Sequence, residues 1–147
     1  LLEAMEQRMK PVLNFLFPEI PGNHPSRKSI ATNLLANVLG LGWAATPAGL
    51  KAMEELSDLE EERRRKKQRA VAVGAASNEM CDFLILNISS LQLIPVNIIA
   101  YRSQYGSVSP TSILGMGLVA TLFSTAAGVL FSVIARKCTK RREGGKV

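Results

Sequence analysis

The sequence predicts an all-α integral membrane protein, built from an interfacial amphipathic helix, a re-entrant helical hairpin and two transmembrane helices. The strongest observation is that segment 113–135 carries no charge, and roughly 20 apolar residues suffice to span a bilayer. A second apolar segment, 79–101, precedes it. The chain also has 18 Lys and Arg against 12 Asp and Glu, and the basic residues flank the apolar segments, as on the cytoplasmic side of membrane proteins. We therefore expect one membrane domain over residues 1–147 that passes through the plasma membrane more than once; a buried soluble helix is the alternative for 113–135.

Residues 1–17 are predicted to form the interfacial helix. Apolar residues recur there every three or four positions and charged residues cover the other side, which is typical of a helix lying on a membrane surface. A soluble helix that packs on a protein core has the same pattern, so both interpretations stay open. Pro11 is expected to kink the helix. The prolines of segment 18–25 exclude a helix there, and His24 is expected to be solvated or to cap a helix.

The apolar segment 30–56 is interrupted by the octapeptide GLGWAATP at 40–47. Thr is a good N-cap and Pro is favoured at the first helical position. Thr46 and Pro47 therefore predict a second half-helix that begins there, after a first one ends near Gly40. Non-helical backbone at membrane depth survives only where it is buried in protein or lines a wet cavity, and broken helices carry the binding sites of transporters. The octapeptide is thus the first candidate for a ligand site.

Charge decides between two topologies for segment 30–56. If the segment enters and leaves on one side, all 18 Lys and Arg residues except Arg102 lie in the cytoplasm; if it crosses, the basic residues before it lie outside. The positive-inside rule favours the re-entrant hairpin. Each half is about ten residues, or roughly 15 Å of helix, which reaches half-way through the bilayer core. Segment 57–76, opened by a capping-box pattern at Ser57, is then a solvated cytoplasmic helix or loop rather than a nucleic-acid site.

Two transmembrane helices are expected at 79–101 and 110–136, followed by a cytoplasmic basic tail at 137–147. Ser77 is a candidate N-cap for the first of them. Polar groups at membrane depth usually face a bundle interior or a cavity. The polar side chains of this helix are therefore candidates for a site: Asn87, Ser89 and Ser90 for a ligand, and Asp82 for a cation or a proton. Interhelical hydrogen bonds that only hold the bundle together account for the same residues, and both interpretations stay open.

Four segments closely resemble spore maturation proteins of the nucleoside-recognition, or Gate, domain family: LFPEIPGNHP (16–25), NLLANVLGLG (33–42), AATPAGLKAMEEL (44–56) and NISSLQLIP (87–95). The resemblance runs from about Met9 to Arg136. It implies a role in endospore maturation, through dehydration of the spore core, and a membrane partner like spore maturation protein B. It also implies further membrane helices that precede this sequence in the full-length protein.

The wider family is related to concentrative nucleoside transporters, in which a hairpin tip of Gly-Gln-Thr-Glu-Ser-Pro type helps hold nucleoside and sodium. The matching tip in this chain is 42–47, in which Trp-Ala-Ala replaces the polar trio. Trp43 could stack on a flat ligand, plug a cavity or pack on a partner. The resemblance and the polar pattern together give these candidate ligand-binding residues: Gly42, Trp43, Thr46, Pro47, Asn87, Ser89 and Ser90.

The leading functional hypothesis is a membrane component of spore maturation that recognises or moves a small polar solute together with a partner subunit. The competing hypothesis is a non-transporting membrane scaffold, and a nucleoside-transporter-like protein is a further alternative. An enzyme, a cofactor, a metal centre and a nucleic-acid partner are not expected. The two Cys and one His form no disulfide framework or metal-ligand spacing, and no nucleophile–base pair stands out.

Overall fold

The computed structural model describes residues 2–89 and 92–144, and the side chains of 8–89 and 92–139. Within these residues all regular structure is helical, which confirms the predicted all-α class. The helices are α1 (Leu2–Leu16), α2 (Ser26–Val38), α3 (Gly42–Arg65), α4 (Asn78–Ile88), α5 (Val96–Gln104) and α6 (Leu114–Gly144), and a short 3-10 helix, Pro110–Ile113, leads into α6.

Helix α1 matches the predicted helix over 1–17, with Pro11 inside it. Its Leu13 and Leu16 are buried in the hydrophobic core together with Phe17, which follows the helix, whereas Phe15 is exposed. One face of α1 therefore packs on a protein core. A role of the exposed face at a membrane surface stays a prediction.

Helices α2 and α3 form a tight antiparallel hairpin around Gly40. The N–H of Gly40 donates to the Asn37 carbonyl oxygen at 2.9 Å, and the N–H of Leu41 donates to the Ala36 carbonyl oxygen at 2.8 Å. This pair of bonds is a Schellman motif, in which a left-handed residue ends a helix. Gly40 has φ +74°, a conformation that glycine adopts without steric cost. The motif reverses the chain within three residues.

The predicted start of the second half-helix at Thr46 and Pro47 is wrong. Helix α3 already begins at Gly42, because the Leu41 carbonyl oxygen accepts the N–H groups of Ala44 and Ala45 at 2.9 and 3.0 Å. Pro47 lies inside the helix, where it leaves the Trp43 carbonyl without its usual donor four residues on.

The predicted end of the hairpin at 56 is also wrong, because α3 continues to Arg65. The capping-box pattern at Ser57 lies in the middle of this helix and opens nothing. The second half of the hairpin and the first part of the charged segment 57–76 therefore lie on one continuous helix of 24 residues.

The predicted transmembrane helix over 79–101 is not continuous. Helix α4 begins after Ser77, whose side chain accepts the Met80 N–H at 3.4 Å, so the predicted N-cap is confirmed. Helix α4 ends at Ile88, and α5 begins only after Pro95. These two helices have 11 and 9 residues, fewer than the roughly 20 that a spanning helix needs.

Helix α6 is the strongest candidate for a segment that crosses a membrane. Among the described residues, Pro110–Thr139 is the stretch long and apolar enough to cross a bilayer, and only 6% of its most apolar window is buried within the protein. Its exposed face carries large apolar side chains, such as Phe123 and Leu130, which suits contact with lipid. The basic tail predicted at 137–147 continues this helix as far as Gly144.

Candidate functional site

The two interruptions that the sequence reveals, the α2–α3 turn and the α4–α5 connection, lie against each other. The Leu93 N–H donates to the Val38 carbonyl oxygen at 2.9 Å. A Cβ atom added at Gly40 would clash with the Ile94 carbonyl oxygen and would also lie 3.3 Å from Val96. Gly40 is therefore needed twice, for the left-handed turn and for the close approach of the α4–α5 connection.

A chain of three side-chain amides runs beneath this junction. Asn33 Nδ2 donates to the Ala45 carbonyl oxygen at 2.8 Å, Asn37 Nδ2 donates to Asn33 Oδ1 at 3.3 Å, and to Asn87 Oδ1 at 2.6 Å. A backbone carbonyl can only accept, so it fixes the orientation of the Asn33 amide and, through it, that of Asn37. The amide chain thus links α2, α3 and α4, with Asn33 and Asn37 buried.

Small residues on α3 make room for these amides. Ala45, Gly49 and Ala52 are buried and face α2, in the spacing that allows close helix packing. A Cβ atom at Gly49 would lie 2.9 Å from Asn33 Nδ2, so a larger residue there would displace the amide. The sequence fragment NLLAN and the fragment AATPAG therefore form two halves of one interface.

The candidate residues at the hairpin tip point away from the amide chain. Trp43 is 82% exposed, and Thr46 and Pro47 are exposed as well. The Thr46 hydroxyl donates to the Gly42 carbonyl oxygen at 3.2 Å, within its own helix. Gly42 is half-buried and has open space where a side chain would be. The predicted ligand-binding residues of the tip are thus not brought together with Asn87.

Ser89 lies on a third surface, between α4 and α6. Its carbonyl oxygen accepts the Thr125 hydroxyl at 2.5 Å, and its own hydroxyl donates to the Leu86 carbonyl oxygen at 3.4 Å. A Cβ atom at Gly128 would lie 2.5 Å from Ser89 Oγ. These contacts join the end of α4 to the small-residue stripe of α6. Ser90, another predicted ligand residue, lies outside the described residues.

Asp82 forms a buried ion pair with Arg136. Asp82 Oδ2 accepts hydrogen bonds from Arg136 Nη2 at 2.7 Å and Nε at 3.2 Å, and the same Nη2 donates to the Leu16 carbonyl oxygen at 2.6 Å. Only 8% of the Asp82 side chain and 12% of that of Arg136 are exposed. The pair joins α4 to α6 and, through the Leu16 carbonyl oxygen, to the end of α1. A role of Asp82 in binding a cation or a proton stays a prediction.

A second charge cluster fixes the charged segment that follows the hairpin. Arg63 bonds both Glu60 and Glu79, and its Nη2 donates to the Glu19 carbonyl oxygen at 2.7 Å. Burial lowers the pKa of Arg63, but the hydrogen bonds and charges of Glu79 and Glu60 outweigh burial and raise this pKa above its usual value. Glu60 also accepts the Val71 N–H at 3.0 Å. This part of segment 57–76 is therefore packed against α4 rather than solvated.

The sequence did not reveal the partners in the amide chain or in the Asp82–Arg136 pair. Asn33 and Asn37 stand four residues apart and thus share a helix face, which was the available signal for an amide pair, but nothing local pointed to Asn87 as the third member. Arg136 stands directly before the basic tail, and a cation at the end of an uncharged segment is a natural partner for Asp82. Among the described residues no group of three or more His, Cys, Asp or Glu is placed to hold a metal ion.

In the described residues these observations define a class: an all-helical protein with one helix of membrane length, in which a packed helical hairpin meets a broken helix. The chain is 40% identical over 130 residues to spore maturation protein A of Bacillus subtilis (strain 168). The match covers 88% of this chain and 61% of that relative. It bears out the resemblance to spore maturation proteins that the sequence predicts, and the chain is similar to spore maturation protein A along most of its own length. No family model matches the chain, and no solved structure matches it.

Proposed function

We propose that the protein acts in spore maturation as a membrane component. The observation that carries this proposal is the 40% identity to a protein named spore maturation protein A, over 88% of the present chain. Because the chain spans 61% of that relative's length, the activity of the whole protein belongs to the proposal as well. The exposed apolar helix α6 supports a location in a membrane.

We further propose that the α2–α3 hairpin recognises a small polar solute together with a partner subunit. The amides of the junction already bond one another and a backbone carbonyl, so the hairpin needs no ligand to hold its shape. The hairpin groups that a ligand or a partner can contact are on its outer face, where Leu41, Trp43 and Leu50 are exposed beside Thr46. A partner of the spore maturation protein B type that covers this face would bury the apolar side chains and enclose a solute against Trp43.

The closed amide chain also favours a second candidate function, a non-transporting scaffold. In that case Asn33, Asn37 and Asn87 only hold the bundle together, and the exposed face around Trp43 packs on the partner without a solute. The two functions share the interface and differ in whether a ligand binds there.

Trp43 is the single tryptophan of the chain, so its fluorescence tests both candidates if a tryptophan-free partner is used. Covering the tip by the partner should shift the Trp43 emission to shorter wavelength in the reconstituted complex. A solute in contact with the ring should then quench this emission in a saturable way, in a screen of nucleosides, cations and dipicolinate. A blue shift without any quenching or thermal stabilisation would favour the scaffold, and no change on adding the partner would contradict the proposed interface.

The role in spore maturation is tested separately, in a spore former that lacks its own copy of the relative. The gene encoding this protein should restore dehydration of the spore core, measured as spore density. Trp43→Ala should reduce that restoration, whereas Leu118→Ala, a change of an exposed apolar residue on α6, serves as the matched control. Failure of the unchanged gene to restore spore density, although the protein is made, would argue against the role.

The re-entrant topology is tested by labelling single cysteines in a cysteine-free background. Asn23, Ser57 and Ser103 are exposed and lie in three different parts of the chain. If the hairpin is re-entrant, cysteines at 23 and 57 are labelled from the cytoplasm and a cysteine at 103 from the outside. Labelling of 23 and 57 from opposite sides would show that the hairpin crosses the membrane.

A further inference from the structure

A basic cleft lies beside α1, where Lys10 and Asn14 line it. It has a volume of about 620 Å³ and is bounded by the second half of α1, the linker 18–25 and the first turns of α2. Its walls include three cationic side chains, Lys10, Arg27 and Lys28, and none of the described residues lining it is acidic. Such an accumulation of one charge sign in a concave site attracts anions.

Arg27 gives the cleft a rigid floor. Its Nε donates to the Pro21 carbonyl oxygen at 3.0 Å, its Nη2 to the Ile20 carbonyl oxygen at 2.6 Å, and its Nη1 to Asn14 Oδ1 at 2.5 Å. These bonds tie the linker to both helices. They also keep the guanidinium charge at the cleft without a carboxylate partner among the described residues.

His24 presents a hydrogen-bond donor at the same place. Its Nδ1 lies 2.8 Å from Ser26 Oγ and 3.3 Å from the Ser26 backbone nitrogen. A backbone N–H only donates, so Nδ1 accepts and the ring proton of the neutral imidazole is on Nε2. Nε2–H is then available to an anion in the cleft.

The remaining donors come from two lysines. Lys10 and Lys28 are both exposed, and Lys28 forms no ion pair among the described residues. The N–H groups at the start of α2 are already bonded, those of Arg27 and Lys28 to the carbonyl oxygens of His24 and Pro25. The positive potential of the cleft therefore comes from side chains.

We infer that this cleft binds a phosphate group. A phosphate carries one to two negative charges and several acceptor oxygens, which match two ammonium groups, the guanidinium charge of Arg27 and an imidazole N–H better than a single carboxylate does. Both a free phosphate and the head group of an anionic lipid have this chemistry. The cleft belongs to the amphipathic helix that the sequence predicts at the membrane surface, where such head groups are present.

The single histidine of the chain gives a direct measurement. The full protein, with ¹⁵N-labelled histidine, is placed in nanodiscs of phosphatidylcholine and titrated with inorganic phosphate, or with acetate and chloride at equal ionic strength. The His24 ring signal should shift in a saturable way with phosphate only. In the double variant K10Q/K28Q, phosphate affinity should fall about tenfold or more, because one charge-assisted bond contributes about tenfold and the variant removes two such donors at exposed positions.

The matched control is K51Q/K66Q, which removes the same charge at two exposed lysines away from the cleft and should leave the affinity unchanged. Nanodiscs that contain phosphatidylglycerol distinguish the two sources. If the lipid alone shifts the signal and abolishes the effect of added phosphate, the ligand is the head group; if phosphate still titrates there, the ligand is soluble. A shift that is equal for acetate or chloride, or an equal loss in both double variants, would overturn the inference, as would no shift at all.

Discussion

Replacing Gly40 by alanine tests how the hairpin turn and the α4–α5 connection depend on each other. Gly40 has φ +74°, where an L-residue costs about 1–2 kcal/mol. The smaller entropy of the unfolded alanine chain offsets roughly 0.4–1 kcal/mol of this, which leaves about 1 kcal/mol. The added Cβ also clashes with the Ile94 carbonyl oxygen.

The clash is a contact with backbone, which cannot turn aside as a flexible side chain does. Moving the connection breaks the bond from the Leu93 N–H to the Val38 carbonyl oxygen, worth about 1 kcal/mol. Overpacking adds about 1–3 kcal/mol. We therefore expect Gly40→Ala to lower the free energy of unfolding by about 3–5 kcal/mol.

Two other glycines separate these contributions. Gly106 has φ +73° but open space around it, so Gly106→Ala should cost only the backbone strain, about 1 kcal/mol. Gly42 is helical with open space, so Gly42→Ala should be neutral or stabilise by roughly 0.5 kcal/mol. The assay is denaturant unfolding of the detergent-solubilised protein, followed by far-ultraviolet circular dichroism. Equal losses for Gly40→Ala and Gly106→Ala would refute the argued contact between the turn and the connection.

Three further variants probe the polar networks in the same unfolding assay. Asp82→Leu should cost about 3–5 kcal/mol, because it leaves the buried Arg136 charge uncompensated, and adding Arg136→Leu should recover most of that loss; no recovery would show that the pair is not what Asp82 contributes. Asn37→Ala should cost about 1–3 kcal/mol, since it removes the donor to two neighbouring amides, and a neutral result would contradict the buried amide chain. Thr46→Ala should change the free energy by less than about 0.5 kcal/mol, because this exposed hydroxyl bonds only within its own helix; a larger loss would mean that Thr46 stabilises the tip in another way.

Local patterns suffice for those elements whose boundaries depend on local chemistry. The linker 18–25 is non-helical because of its prolines, α4 begins where Ser77 caps it, and the apolar part of α6 is visible as an uncharged segment. The predicted start of α3 is wrong because Thr46 and Pro47 have the local features of a helix start. The Schellman turn at Gly40 and the packing of small α3 residues on α2 begin the helix several residues earlier, and neither is visible in the octapeptide alone.

The candidate site depends even more on contacts between distant segments, which local sequence patterns do not show. The sequence marks Asn87 and Asp82 as polar residues in an apolar segment, but the meaning of a buried polar group depends on its partner, and both partners come from distant parts of the chain. Asn87 meets Asn37 of the hairpin, and Asp82 meets Arg136 near the end of the apolar part of α6. A sequence gives no register between helices, so it could not distinguish a polar group that awaits a ligand from one already bonded.

The partner of each polar group also bears on where recognition can occur. A buried amide that already donates and accepts gains little from a ligand, because the ligand must first replace a bond of equal strength. Asn33 is in that position, because it donates to the Ala45 carbonyl oxygen and accepts a hydrogen bond from Asn37. The groups that a solute or a partner can engage without such an exchange are the exposed Trp43 at the hairpin tip and the lysines of the basic cleft. Recognition by this protein is therefore expected at its surfaces, with the buried amides and the Asp82–Arg136 pair holding those surfaces in place.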